Sequence, residues 1–163
     1  MTNSSLPLRR ANPAAIVLAG GLVAGTFDII YACTYWAIKR DLPAQRILQS
    51  VASGLLGKTA FDGGVRTAAL GLALHYFIAI SMAFTYYVVA QRWAFLREKA
   101  VVAGIAYGLL LYVIMNYIVV PLSRAGPGAK DPLWIGLSVL VHALLIGLPI
   151  ALFTRRALSP AAA

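Results

Sequence analysis

The chain has 163 residues and a formal charge of +9, yet 61% of it is hydrophobic and only 12% is charged. A soluble domain carries about 25% charged residues, so the supply here is roughly half of what a water-facing surface needs. With a mean hydropathy of +0.81 and its charges gathered in short clusters between long apolar runs, the chain is not a soluble globular domain but an integral membrane protein.

The basic excess does not mark a nucleic-acid surface. Lys and Arg sit at the ends of apolar runs, where such residues meet headgroups and set topology, and no aromatic-basic surface for bases accompanies them. The single cysteine, Cys33, excludes an intramolecular disulfide and a thiolate cluster for zinc.

Residues 1–12, with Arg9 and Arg10, read as a flexible N-terminus. The first apolar run, residues 13–37, is longer than the core of a secretory signal and reads as a retained span. Residues 44–60 follow a different pattern. Ile47, Leu48, Val51, Ala52, Leu55 and Leu56 form an apolar stripe opposite Gln45, Arg46, Gln49, Ser50 and Ser53. This predicts an amphipathic helix lying in the membrane interface, with Arg46 and Lys58 toward headgroups.

After the hinge Asp62-Gly63-Gly64 come a second run at 67–90, a tight turn RWAFLREK and a third run at 100–121. The Gly/Pro loop SRAGPGAKDP leads to a fourth run at 133–153, which Arg155-Arg156 stops, leaving 157–163 as a flexible C-terminus. Backbone polar groups in lipid must bond internally, so these runs are helices. The expectation is one all-α domain over residues 13–156: a four-transmembrane-helix bundle with an interfacial amphipathic helix between spans one and two.

The stretch ASGLLGKT, Ala52 to Thr59, matches the loose form of a phosphate-binding loop. That loop requires a strand before it and a helix after it, and here it lies within the amphipathic helix, so no nucleotide is expected. Basic residues divide seven to seven between the two sides, which weakens the positive-inside argument. Those nearest the span ends place both termini inside, while the tie also permits oppositely inserted chains to pair as a dimer.

Span one carries Gly21 and Gly25, and span three carries Gly104 and Gly108, a spacing that lets helix backbones approach closely. Spans two and four each carry one histidine, His75 and His142, so the order of a glycine-paired helix followed by a histidine helix occurs twice. Such an echo is either a parallel duplication or chance in a glycine-rich chain.

Asp28 lies inside span one, where a charged Asp costs about 2.5–3.5 kcal/mol on insertion scales. At 1.5 Å per residue, Asp28, His75, Asn116 and His142 lie within about 2–8 Å of their span midpoints, all displaced toward one side. Each span therefore brings one strongly polar group to the same half of the bilayer. Two readings follow: a proton-titrating or ligand-binding pocket, or structural hydrogen bonds that fix helix register. Two histidines at similar depth also raise a third, axial ligands for a haem. Pro149 frees the Leu145 carbonyl, and Trp36, Trp93 and Trp134 sit near span ends as interface anchors do. Ser53, Ser81 and Ser138 have no assignable base-and-orienter pair, and no metal motif occurs, so neither an enzyme nor a resident cofactor is expected.

The stretches LHYFIAISMAFTYYVVA with His75, VVAGIAYGLL, the loop PLSRAGPG, and then a tryptophan, His142 and the Arg155-Arg156 stop, resemble the YagU-like small bacterial inner-membrane proteins. That family has no assigned activity; the resemblance implies a multi-pass inner-membrane protein with four spans and supplies no substrate. The functional expectation is non-enzymatic solute or proton handling through the polar cluster. The expected partners are the lipid bilayer and a second copy of the chain or other membrane proteins. The alternatives are an accessory or assembly subunit that binds other membrane helices, and a bis-histidine haem protein.

Overall fold

A computed structural model describes residues 12–159, so residues 1–11 of the expected N-terminal tail, with Arg9 and Arg10, lie outside the described residues. The described residues form six helices: α1 (Pro13–Arg40), α2 (Ala44–Leu56), α3 (Gly64–Arg92), α4 (Ala94–Glu98), α5 (Ala100–Leu122) and α6 (Pro132–Leu158). Four of them, α1, α3, α5 and α6, are long and apolar enough to cross a membrane, so the chain is an all-helical, four-span membrane protein.

Local chemistry sets the helix ends. The Asn12 side chain accepts from the Ala14 amide and Pro13 opens α1, while Asp41 closes it in the left-handed region, its N–H reaching the Ala37 and Trp36 carbonyls. Asp131 caps α6 in the same way, accepting from the Leu133 and Trp134 amides. Helical bonding continues through the polar flanks until a cap intervenes, so the helices run past the apolar stretches and α6 takes in residues 157 and 158.

α1 packs along α3 and along α6, and α5 packs against α6. α3 and α5 are neighbours in sequence, yet their backbones stay apart and side chains bridge them, the Tyr107 hydroxyl donating to the Met82 carbonyl at 2.9 Å. Gly21 and Gly25 lie against Ile80, Ala83, Ala79 and Tyr76 of α3, and Gly104 lies against Ala151 and Gly147 of α6. Gly108 meets the backbone of His142. Both glycine pairs therefore face helices of their own chain.

α2 packs along α3, with Leu48 backbone directly against Gly71. The polar stripe that periodicity turns outward is partly turned inward: Gln49 and Ser53 are 2% and 3% exposed. A buried amide needs partners, and Gln49 donates to the Gly64 carbonyl at 3.0 Å and to the Thr67 hydroxyl at 3.3 Å. Arg46 and Lys58 remain exposed, with Arg46 over the Phe61 ring at 4.4 Å. The α-helix stops at Leu56, and Gly57–Phe61 tightens into a 3-10 turn after the positive φ of Gly57. Farther along, the Arg124 amide donates to the Gly54 carbonyl at 2.9 Å, so α2 straps α3 to the end of α5.

Candidate functional site

Two prolines shape the site. Pro121 in α5 and Pro149 in α6 each lack an N–H and crowd the carbonyl four residues earlier, those of Tyr117 and Leu145. Just before each, the helix widens into a π turn, Met115–Val119 and His142–Gly147. The Val120 N–H reaches Met115 and the Leu148 N–H reaches Ala143, five residues back in both cases. Such turns shift side-chain register inside a helix and occur frequently at functional sites. Here they carry Asn116 and His142.

A cavity of about 290 Å³ lies among α1, α2, α3, α5 and α6. Asp28, His75, Asn116 and His142 all line it, so one polar side chain from each of the four spans meets one volume. Ser50 and Val51 of α2 contribute to the wall, as do Tyr31, Trp36 and Trp134. Cys33, although on α1, is not among the lining residues.

The hydrogen bonds fix what each wall group presents. His75 Nε2 lies 2.7 Å from the Gly25 carbonyl, and His142 Nδ1 lies 2.9 Å from the Ser138 carbonyl. A carbonyl only accepts, so each of those nitrogens carries a proton, and the second ring nitrogen of a neutral imidazole is left as an acceptor. Asn116 donates from Nδ2 to the Tyr112 carbonyl at 2.9 Å, leaving its Oδ1 as an acceptor. Asp28 is half-buried and has no ion pair among the described residues, where Lys39–Asp131 is the sole one. The cavity wall is therefore rich in acceptors.

The histidines differ as possible haem ligands. His142 donates Nδ1–H to a carbonyl and keeps Nε2 free, as ligating histidines do. His75 commits Nε2 to Gly25 and keeps only Nδ1. Among the described residues, no group of three His, Cys, Asp or Glu side chains forms a metal site.

Aromatic rings close one end of the cavity. Tyr31 stacks on Trp134 with centroids 5.0 Å apart, its hydroxyl donating to the Trp134 carbonyl at 3.2 Å and bonding the Ser138 hydroxyl at 3.1 Å. Trp36 lies 5.2 Å from Trp134. These two tryptophans form part of the wall, whereas Trp93 is 65% exposed at the end of α3. Beyond the rings, Lys39 Nζ lies 3.3 Å from Asp131 and ties α1 to the start of α6. Burial pushes the Asp131 carboxyl up, but the Lys39 ammonium and the Leu133 amide outweigh it and hold the carboxyl below its ordinary value.

Sequence periodicity could not reveal the tryptophan contact, the π turns or the part of α2 in the wall. The two prolines were the available signal for the π turns. No family model, no curated protein and no solved structure matches the chain.

Proposed function

We propose that this four-span protein is non-enzymatic and handles protons or a small solute at the cavity lined by Asp28, His75, Asn116 and His142. The observation that supports this reading is the convergence of four polar side chains, one per span, on a single volume. Ionisable groups at membrane depth are costly and concentrate on ion and substrate paths. Asp28 has no ion-pair partner among the described residues, so no salt bridge offsets the cost of its place in the span. The accessory-subunit reading gains less support, because the glycine faces that would receive a foreign helix are covered by α3 and α6. Residence in a bacterial inner membrane follows from the family resemblance and belongs to the same proposal.

The test uses purified protein in sealed vesicles with an internal pH-sensitive dye and an imposed potassium diffusion potential. Wild type is expected to pass protons, and Asp28→Asn to reduce the flux to the protein-free background. In parallel, Ser50→Cys in a Cys33→Ser background places a reporter on the cavity wall and is expected to react with a membrane-impermeant maleimide. A label-resistant Ser50→Cys together with unchanged flux in Asp28→Asn would show a dry, structural cluster.

A further inference from the structure

The separation of the α3 and α5 backbones leaves an apolar cleft of about 650 Å³ between them, walled by residues such as Phe77, Thr85, Trp93, Ala106 and Leu110. Ile78, Met82 and Met115 line both this cleft and the polar cavity, so these three side chains form the partition between the two volumes. The cleft lies between two helices long and apolar enough to cross a membrane, and some of its wall residues are exposed, among them Phe77 at 68%, whereas Tyr86, Ala103 and Leu111 are buried. An apolar opening between two membrane-crossing helices suits entry from the bilayer.

The polar end selects by charge. Among the lining residues Asp28 is the one acidic side chain, and none is Lys or Arg. Asn116 Oδ1 adds an acceptor, and the wall is aromatic at one end, where Tyr31 and Trp134 stack on each other and the Arg40 guanidinium already lies 5.4 Å over the Trp36 ring, a position that shows this end accepting a cation. No Lys or Arg lines the cavity to receive an anionic or phosphate-bearing group, and the Arg40 guanidinium lies behind the wall, over the Trp36 ring.

We propose that cavity and cleft together bind lipophilic cations, with the cationic centre between Asp28 and the aromatic rings and the apolar body in the α3–α5 cleft. This rests on the reading of the cavity as a solute- or proton-handling site and names the solute class. A cation that partitions into lipid reaches the cleft laterally, passes Met82 and Met115, and meets the carboxylate without crossing the strap formed by α2. Met side chains re-pack easily, which suits a passage between the two volumes.

The probe pair is tetraphenylphosphonium and tetraphenylborate, hydrophobic ions of like shape and opposite charge. Equilibrium binding is measured on the full chain in nanodiscs, with protein-free nanodiscs as background. Wild type is expected to bind the phosphonium saturably and to show no saturable binding of the borate. Asp28→Asn is expected to weaken phosphonium binding roughly thirtyfold or more, as loss of a desolvated charge partner does. Asp28→Glu is expected to restore most of it. Ala106→Trp, at an exposed position in the cleft, is expected to block binding while leaving the folded protein monodisperse. Equal saturable binding of the two ions, no phosphonium binding, or affinity indifferent to Asp28→Asn would each overturn the lipophilic-cation proposal. If the phosphonium fails to bind while Asp28→Asn still abolishes proton flux, the ligand class is wrong and the cavity reading stands. If Asp28→Asn changes neither measurement, both fall.

Discussion

The α-carbon of Gly108 lies against the backbone carbonyl of His142, so the π turn that carries the histidine is seated directly on α5. A methyl group at position 108 would occupy the space of that carbonyl and of the Ala143 α-carbon. Backbone cannot rotate aside as a side chain can, so Gly108→Ala is expected to destabilise by about 1–3 kcal/mol, the usual cost of overpacking. Gly136 is also helical in α6, but a methyl group there would meet nothing within 4 Å, which makes Gly136→Ala the control. It is expected to be neutral or to stabilise by up to about 1 kcal/mol through reduced chain entropy. Thermal unfolding of the two variants in one detergent decides the matter, since equal midpoints would contradict the close contact.

The bond from His75 Nε2 to the Gly25 carbonyl is interhelical and short at 2.7 Å. Such bonds in membranes are worth about 0.6 kcal/mol on average and up to about 2. His75→Ala is therefore expected to lower stability modestly, by about 1 kcal/mol including lost packing. His75→Gln, which keeps a donor, is expected to recover part of it. Full stability in the alanine variant would mean that the bond does not hold α1 to α3.

Asp28 gives the sharpest division between structure and function. A structural carboxylate would be missed when removed, but Asp28 has no ion-pair partner among the described residues. Burying its charge costs up to about 2.5–3.5 kcal/mol on insertion scales, and the amide of Asp28→Asn avoids that cost at nearly the same volume. The thermal midpoint of Asp28→Asn is expected to equal or exceed that of wild type. A midpoint lower by several degrees would assign the residue to fold maintenance.

Composition alone carries the four spans, because lipid demands long apolar helices and leaves few alternatives. Depth along each helix brings Asp28, His75, Asn116 and His142 to one half of the bundle, and all four line the same cavity. Which spans pack together is not legible in the sequence. A helix in lipid is apolar on both its packed and its exposed faces, so α5 has no stripe that points to α6 rather than α3. For the same reason the α3–α5 cleft has no sequence signature. Gln49 reads as surface because it is polar, but its partners Gly64 and Thr67 lie 15 and 18 residues away, beyond the reach of local periodicity. Pro149 is legible as a freed carbonyl and so as a signal for the widened turn upstream of it, whereas the packing of His142–Gly147 on α5 is not.

The Lys39–Asp131 pair predicts a pH dependence at the end of the bundle that holds Trp36 and Trp134. Asp131 titrates below its ordinary value of 3.8, because the nearby ammonium and the α6 amides outweigh its burial. The folded state therefore prefers the carboxylate form. The stabilisation is complete above the unfolded value and is lost as pH falls through the lower folded one, so the window lies at and beneath pH 3.8. Over that window Trp134, which follows the cap and stacks on Tyr31, is expected to change its fluorescence as α6 loosens from α1. Asp131→Asn keeps a capping oxygen but loses the charge, and is expected to give a nearly pH-independent signal at the acidic end. Lys39→Met leaves the cap and removes the ammonium, so its transition is expected to shift toward higher pH than in wild type. An unchanged transition in Lys39→Met would mean that the α6 amides, rather than the ion pair, hold the carboxylate.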